Sequence, residues 1–345
     1  MTACVLALNA GSSSFKCALF EMRGTEAIQL DRRSFPSGAG DAGLEPVLAW
    51  VETVSEGRSL LAAGHRIVHG GPDFREPRRL DDAAVAALDA LSPLAPLHQP
   101  QSLEAVLILA RLKPGLVQVG CFDTAFHATQ PSVASRFGLP RAMHDRGLRR
   151  YGFHGLSYQN LVDRLEAAAP DLARGRVIAA HLGSGASLCA IKAGRSLDST
   201  MGFSPLDGLL MSTRPGSLDP GLVLYLRDHE GLGAEAMQDL LYHRSGLLGV
   251  SGQSSDMREL LASPSPEAAE AVELFVYRIG RDAGALAGVL GGLDGVVFTG
   301  GIGENSPEIR TRVAAWIVPA DEERVIARLT FRLIQEPDGA ASPAV

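Results

Sequence analysis

The sequence has few cysteines, no long apolar run and no excess of basic residues. Its four cysteines, Cys4, Cys17, Cys121 and Cys189, lie in apolar stretches without CxxC spacing. This pattern argues against a disulfide framework or a zinc site and predicts buried thiols in a reducing compartment. No apolar run approaches the roughly 18 residues of a membrane helix, and the N-terminal residues lack a signal-peptide pattern. We therefore expect a cytoplasmic protein with no membrane partner.

The charge balance is mildly acidic, with 32 basic against 39 acidic residues and a net charge of −7. No basic run interleaves with aromatic side chains, so nucleic acid is not an expected partner. The composition, with 46% apolar and 21% charged residues, is typical of a globular protein. A chain of 345 residues exceeds the roughly 250–300 residues at which single cores stop growing, which predicts two domains.

Two segments share a pattern of strand, small-residue turn and strand. The first runs from Cys4–Leu8 through NAGSSS to Phe15–Phe20, and the second from Arg176–His181 through LGSGAS to Leu188–Ile191. Apolar runs joined by a short Gly/Ser turn are typical of hairpins. The repeat predicts an α/β fold with a duplicated architecture of two related domains.

The rest of the chain contains readable helices and one clear buried strand. Apolar residues at helical spacing predict helices over Leu156–Ala169, Pro264–Leu290 and Ser306–Trp316. Val117–Phe122 is a predicted buried strand that runs into Asp123. Residues 31–57 show little periodicity and give no prediction.

Glycine is in excess, with 38 residues, or about 11% against an ordinary share of about 7%. Three glycine-rich turns are predicted after strands, at Asn9–Ser14, Leu182–Ser187 and Gly300–Asn305. Backbone N–H groups in such turns can point together at an anion, and glycine lets the backbone approach it. One such turn is equally explained as a tight hairpin, but three favour phosphate binding. Lys16, beside the first turn, is either an edge-strand charge or a phosphate ligand.

Four polar residues lie in positions that suit an active site. Arg66 lies within GHRIVHGG, Asp123 follows a buried strand, and His154 and Arg214 lie in glycine-bounded loops. Each residue alone is readily explained as structural, for example as an arginine paired with an acid. Together with the three turns they supply cations for developing charge, a carboxylate for a metal and backbone cradles. This combination favours phosphoryl transfer.

Several motifs occur in a fixed order along the chain: NAGSSSFK, GHRIVHGG, APLHQP, FDTAFH, RYGFHG, HLGSGAS, STRPGSLDPG and FTGGIGENSPEIR. In this they resemble the acetate kinase (acetokinase) family. The resemblance implies a duplicated, two-domain, actin-like α/β fold with an interdomain active-site cleft. Residues 1–150 with 323–345 would form the domain on the carboxylate side, and 151–322 the domain on the nucleotide side. The implied reaction is the reversible, direct in-line transfer of the γ-phosphoryl group of ATP to acetate, giving acetyl phosphate and ADP, with Mg²⁺ or Mn²⁺ and in a homodimer.

The resemblance also implies roles for residues on the carboxylate side. Asn9 and Glu322 match metal positions, Lys16 matches a nucleotide-binding lysine, and Arg66 matches the position that binds the substrate carboxylate. The residues that match the walls of the methyl pocket are Val68, Leu97, Phe153 and Pro205.

Three further residues match catalytic positions of the family. Asp123 matches the active-site acid or base, and His154 and Arg214 match transition-state stabilisers. Because a substrate carboxylate is already ionised at neutral pH, we favour for Asp123 an orienting or metal-binding role over proton abstraction. The residues that match nucleotide-binding positions are His181, Leu182, Gly183, Ser184, Gly185, Asp256, Met257, Arg258, Gly301, Ile302, Gly303, Glu304 and Asn305.

The chain departs from the family pattern in four places. Ser184 stands where the family usually has Asn, and Tyr158 stands where a His is usual. The chain is also shorter between Lys16 and Gly64 and between Arg310 and Val318. These departures leave three functions open: an acetate kinase, a kinase for another short acyl group such as propionate or butyrate, and a nucleotide-binding relative without catalysis.

Overall fold

The computed structural model describes residues 3–11, 14–24, 26–37, 40–96, 98–313, 316–317 and 322–335. Predictions that involve Ser12, Ser13 and Leu97 therefore lie outside the described residues. The strands are β1 (Ala3–Ala10), β2 (Ser14–Arg23), β3 (Glu26–Pro36), β4 (Ser59–Ile67), β5 (Arg78–Arg79), β6 (Val117–Phe122), β7 (Arg176–Leu182), β8 (Ala186–Lys192), β9 (Arg195–Ser199), β10 (Gly295–Thr299) and β11 (Trp316–Ile317). The α-helices are α1 (Glu45–Ser55), α2 (Asp82–Asp89), α3 (Gln99–Leu112), α4 (Ser132–Ser135), α5 (Arg141–Asp145), α6 (Gly155–Ala168), α7 (Pro170–Ala173), α8 (Pro220–Asp228), α9 (Ala234–His243), α10 (Gly246–Ser251), α11 (Met257–Ala262), α12 (Pro266–Leu290), α13 (Gly300–Asn305), α14 (Pro307–Val313) and α15 (Glu322–Gln335).

The first sheet has the strand order β3-β2-β1-β4-β6-β5. β2 is antiparallel to both β1 and β3, whereas β1, β4 and β6 are parallel to one another. Parallel strands present their carboxyl ends at one edge of a sheet, where ligands of α/β folds collect. This edge carries Asn9 near the end of β1, Arg66 near the end of β4, and Asp123 directly after β6.

The second sheet repeats this arrangement. Its order, taken from the β9 end, is β9-β8-β7-β10-β11. β8 is antiparallel to β7 and β9, and β7, β10 and β11 are parallel. The order and directions match those of β3-β2-β1-β4-β6, so the predicted duplication is confirmed at the level of sheet topology.

The contacts between residues divide the chain into two compact units. One unit spans Met1–Phe126 with Asp321–Val345, and the other spans His127–Ala320. The segment after Phe126 belongs with the second unit because the His127 ring is hydrogen-bonded to the hydroxyl of Ser196 in β9 and to the Phe153 carbonyl. The domain boundary predicted at residue 150 rests on sequence motifs and stays a prediction.

Opposite faces of the first sheet are covered by different helices. Leu6, Cys17 and Ala63 share an apolar core with residues of α1 and α3, while α15 packs against β1, β2, β3, β4 and β6. Because side chains alternate across a strand, Gly64 faces α15. A Cβ atom on Gly64 would lie 2.2 Å from Oγ1 of Thr330. Glycine at this position therefore lets helix and sheet approach closely.

The structure corrects two predictions and adds one strand. Gly300–Asn305 forms the helix α13 and not a turn, because the chain enters a helix directly after β10. The predicted helix over Ser306–Trp316 ends at Val313, and Trp316–Ile317 pairs as β11 with β10. Within the unreadable residues 31–57, β3 continues to Pro36 and α1 begins at Glu45.

The cysteines are free and buried, as predicted. Burial raises the pKa of the Cys121 and Cys189 thiols to about 12, so both are protonated at neutral pH and act as small apolar side chains. Within the described ranges, none of the helices is both long enough and apolar enough to cross a lipid bilayer.

Candidate active site

In the first unit, Arg66 is held by the carboxylate of Asp123. Arg66 Nη2 donates to Asp123 Oδ2 at 2.6 Å and Nε donates to the same oxygen at 3.0 Å. Arg66 Nη1 also lies 3.3 Å from Oδ1 of Asn9. Asp123 is almost completely buried, so its charge is balanced by Arg66 and not by water. The guanidinium plane is thereby fixed at the edge where β1, β4 and β6 end.

Glu322, the first residue of α15, adds a second carboxylate to this group. Burial raises the pKa of Glu322 to about 7; the Arg66 guanidinium opposes the rise, while the charges of Glu323 and Asp123 add to it and Lys16 opposes it. Burial alone would lower the pKa of Arg66, but the surrounding carboxylates together raise it above its ordinary value. Arg66 is therefore a permanent cation in a group of acids.

The start of α15 is fixed by strand β3. Arg32 on β3 forms an ion pair with the buried Glu323, and Arg324 Nη1 donates to the Ala27 carbonyl at 2.9 Å. These contacts place the first turn of α15, and hence Glu322, at one position on the sheet. Lys16 is exposed on β2, directly across the strand pair from Asn9.

In the second unit, His154 and Arg214 converge on Gly185. A Cβ atom on Gly185 would lie 2.8 Å from Nη2 of Arg214 and 3.2 Å from Nε2 of His154. Arg214 Nη1 donates to the Pro205 carbonyl at 2.8 Å, and burial lowers the pKa of Arg214. Two nitrogen donors thus reach the same point beside a glycine backbone.

The loop that carries Arg214 is tied to its neighbours through backbone hydrogen bonds. Ser212 N donates to Ser184 O at 3.1 Å, and Leu248 N at the start of α10 donates to Ser212 O at 3.0 Å. Gly246 has a φ of 67°, and a Cβ there would lie 2.2 Å from the Met211 carbonyl oxygen. Only glycine fits this contact, which anchors the Arg214 loop on α10.

A cavity of about 820 Å³ opens beside these residues. The predicted nucleotide-binding residues that line it are Gly183, Ser184, Asp256, Met257, Arg258, Gly301, Ile302 and Asn305. Asp256 caps α11 and accepts from Arg258 Nη2 at 2.6 Å, and this hydrogen bond lowers the pKa of Asp256 to about 2.

Other predicted nucleotide residues do not line the cavity. His181 stacks on the His154 ring with 4.2 Å between the ring centroids, and Glu304 accepts from the Gly300 backbone N–H at 3.0 Å. Leu182 and Gly303 are buried, and Gly185 lies under the Arg214 and His154 nitrogens. Of the methyl-pocket residues, Val68 lies in the first unit, and Phe153 and Pro205 lie in the second.

Comparison with known proteins gives the family. The model of the acetokinase family matches residues 34–318. The acetate kinase of Rhodopseudomonas palustris (strain TIE-1) is 45% identical, and the match covers 96% of this chain and 99% of that protein. The chain belongs to the acetokinase family. The predicted family, kinase class and two-sheet α/β fold are thereby confirmed.

Solved structures of acetokinase-type enzymes share this fold. The crystal structure of Porphyromonas gingivalis acetate kinase has a TM-score of 0.86 and 34% identity, covering 96% of this chain and all of that one. A propionate kinase from Francisella tularensis also has a TM-score of 0.86, at 29% identity and 96% coverage of this chain and 99% of that one. The alignment with the Rhodopseudomonas relative spans 395 positions, more than the residues of this chain, so the relative contains stretches that this chain lacks.

Two residues that contact His154 or the peptide before it are not identified by the sequence analysis. Ser187 on β8 accepts or donates at Nδ1 of His154, at 2.8 Å. His127 is neutral because burial lowers its pKa to about 4; its Nε2–H donates to the Phe153 carbonyl at 2.9 Å, and this bond holds the peptide before His154. Both residues lie within motifs quoted above, HLGSGAS and FDTAFH, but the local sequence does not show their roles, because both act through hydrogen bonds to distant segments.

Asn9 and Glu322, which the family resemblance assigns to a metal site, lie in a part of the first unit that suits a divalent cation. Among the described residues, no group of three or more His, Cys, Asp or Glu side chains could hold a metal by itself. Mg²⁺ commonly takes only one or two protein carboxylates beside substrate oxygens and water. A glutamate whose pKa is raised by burial next to other acids gains from such a cation, so these residues fit one.

Glu322→Gln tests this electrostatic argument. The wild-type carboxyl has a pKa of about 7 when folded and an ordinary value of 4.5, so the folded state binds the proton more tightly. The protonated Glu322 carboxyl therefore stabilises the folded wild type at low pH. This contribution to the free energy of unfolding is lost as pH rises from about 4.5 to 7. In urea titrations without divalent ions, we expect the variant to be more stable than wild type at pH 8, by on the order of 1–3 kcal/mol, and similar at pH 5.

Mg²⁺ should remove this difference at pH 8 by stabilising the wild type alone. Glu26→Gln, at an exposed glutamate of the same unit, is the control and should show neither effect. An equal stability gap at both pH values would contradict the raised pKa, and a gap that Mg²⁺ leaves unchanged would contradict the cation site.

Proposed function

We propose that this protein transfers the γ-phosphoryl group of ATP to acetate, reversibly, giving acetyl phosphate and ADP. The observation that carries the proposal is the convergence of Arg214 Nη2 and His154 Nε2 over Gly185, beside a cavity lined by the predicted nucleotide-binding residues. In-line transfer places negative charge on the equatorial phosphoryl oxygens. Two fixed donors at one point suit that charge, and donors of this kind typically lower a barrier by about 3–4 kcal/mol each.

The carboxylate side of the proposal rests on Arg66. Its guanidinium offers paired donors that match a carboxylate, and Asp123 fixes its plane. Because acetate is already ionised at neutral pH, Asp123 is free to orient Arg66 and has no proton to abstract. Val68, Phe153 and Pro205 would surround the methyl group, together with Leu97 outside the described residues.

Mg²⁺ is the cofactor we propose, with Mn²⁺ as an alternative, and Asn9 and Glu322 would hold it. Such an ion, when bound, neutralises charge on the phosphate oxygens of ATP. Lys16 lies across the strand pair from Asn9 and would contact the nucleotide phosphates. The buried free thiols support a reducing compartment, and we propose the cytoplasm.

Acetate is the favoured substrate, and propionate is the second candidate. The curated relatives at 43–45% identity are named acetate kinase. The Francisella propionate kinase matches the fold as well as the Porphyromonas acetate kinase does, so the fold alone does not separate the two acids. The apolar side chains around the methyl group, Val68 among them, would distinguish substrate acids by the length of their carbon chain.

Acyl-phosphate formation, trapped as the hydroxamate, tests the function with acetate, propionate and butyrate. We expect acetate to exceed propionate in kcat/KM by roughly ten- to a hundred-fold, since an apolar pocket distinguishes one methylene by about 1–3 kcal/mol. Val68→Ala should narrow the gap. A preference for propionate would make the protein a propionate kinase, and no acyl phosphate from any acid would contradict catalysis.

Arg214→Ala separates transition-state binding from nucleotide binding. We expect kcat to fall by more than about 10²-fold, while the affinity for ATP changes by no more than a few-fold, because the charge meets the phosphoryl group chiefly in the transition state. Calorimetry with a non-hydrolysable ATP analogue and steady-state kinetics measure the two quantities. Arg174→Ala, at an exposed arginine, is the control. A parallel loss of ATP affinity would show that Arg214 is instead a ground-state phosphate clamp.

We also propose a homodimer, in which α8 contributes to the interface. Leu222, Leu224 and Tyr225 are each about half exposed, at 45%, 51% and 52%, and no residue of α8 is buried. An apolar helix without cover is typical of an interaction surface. Light scattering should give twice the chain mass of 36.4 kDa for wild type and the single mass for Leu224→Glu. Leu139→Glu, at an equally exposed leucine, should remain dimeric. A monomeric wild type would contradict the proposal.

A further inference from the structure

Two hydroxyl groups connect the interior of the second unit to the ring of His154. Tyr158 on α6 is fully buried, and its hydroxyl lies 2.5 Å from Oγ of Ser187. The same Ser187 oxygen lies 2.8 Å from Nδ1 of His154. On the opposite side of the ring, Nε2 faces Gly185, where Arg214 also arrives. The two ring nitrogens therefore have different surroundings, one a buried hydroxyl and the other the proposed reaction centre.

We propose that Tyr158 and Ser187 are positioning residues for the phosphoryl transfer of this family. They fix the His154 imidazole with its Nε2–H directed at the phosphoryl group. The inference rests on the proposed function of His154. It assigns a role to the hydroxyl of a fully buried tyrosine.

In the proposed arrangement the two hydroxyl groups donate in one direction, toward the imidazole. The backbone N–H of His181 donates to the Tyr158 oxygen, and burial raises the pKa of Tyr158 well above its ordinary value, so that Tyr158 keeps its hydrogen at neutral pH. Either hydroxyl of the Tyr158–Ser187 pair can donate; the proposal has Tyr158 donating to Ser187 and Ser187 donating to Nδ1 of His154. A neutral imidazole that accepts at Nδ1 carries its hydrogen on Nε2.

The orientation of the His154 ring is fixed by other contacts. His154 has a φ of 59°, in the left-handed region that non-glycine residues rarely adopt. Its ring stacks on His181 at an interplanar angle of 24°, and Nδ1 of His181 is in turn bonded to Ser157 at 2.8 Å. These contacts set the ring plane, while Tyr158 and Ser187 decide which nitrogen presents a hydrogen. A donor fixed in advance needs no reorganisation during transfer.

A spectroscopic measurement tests the hydrogen bonds from Tyr158 through Ser187 to His154 without requiring catalytic turnover. In protein labelled with ¹⁵N-histidine at pH 8, the Nδ1 resonance of His154, assigned by its loss in His154→Ala, reports the hydrogen bond to Ser187. We expect Ser187→Ala to shift this resonance toward its value without a hydrogen bond. Tyr158→Phe keeps the ring and removes only the hydroxyl, and it should cause a smaller shift in the same direction. An unchanged resonance in Tyr158→Phe would overturn the proposal.

A double-mutant cycle tests the consequence for the reaction. Tyr158→Phe should lower kcat by roughly two- to tenfold, the effect of one neutral hydrogen bond, with KM for ATP and acetate changed by less than about twofold. In the His154→Ala background the same substitution should have no further effect. Tyr277→Phe, at an exposed tyrosine of α12, is the matched control.

The outcomes separate this inference from the proposed function. A loss of kcat that is equally large in the His154→Ala background would show a merely structural role for Tyr158 and overturn the inference. A wild type that forms no acyl phosphate would contradict the proposed function, while the nitrogen resonances would still decide whether the hydroxyl chain directs the His154 ring.

Discussion

The absence of a side chain at Gly185 is the constraint on which the arrangement of His154 and Arg214 depends. His154 approaches from the start of α6 and Arg214 from a loop anchored on α10, and Arg214 Nη2 and His154 Nε2 lie 2.8 Å and 3.2 Å from the position that a Cβ atom at Gly185 would take. A methyl group there would separate them or displace one of them. The two donors are fixed before any reactant arrives, by hydrogen bonds that point away from the site, to Ser187 and to the Pro205 carbonyl.

The group around Arg66 in the first unit depends on a different constraint, the balance of buried charge. Arg66 faces three carboxylates, those of Asp123, Glu322 and Glu323. Arg32 balances Glu323 from β3, and Asp123 is bound to Arg66 itself. Glu322 forms no ion pair of its own within the part of the chain that the structure describes, and burial disfavours its charged form. A local excess of negative charge of this kind is what makes a cation-binding role physically reasonable.

Much of the fold could be predicted from the sequence, but not its edges or its long-range contacts. The strand Val117–Phe122 agrees with β6 residue for residue, because a buried strand is a continuous apolar run bounded by polar turns. β3 was not recognised because most of its length is exposed, with Phe35 and Ala27 as its buried residues. Arg66, Asp123, His154 and Arg214 were found by residue type and local context. Ser187 and His127 were not, because their partners are far away in sequence.

The packing of α15 makes the first unit discontinuous in sequence. Arg32 and Glu323, which form one ion pair, are 291 positions apart. The sheet face that carries Gly64 and Cys121 packs against this helix, which comes from the far end of the chain. During synthesis from the N-terminus, the continuous second unit can therefore complete its core first. Until α15 is synthesised, the face of the first sheet that it covers stays exposed, a state that favours aggregation or chaperone binding.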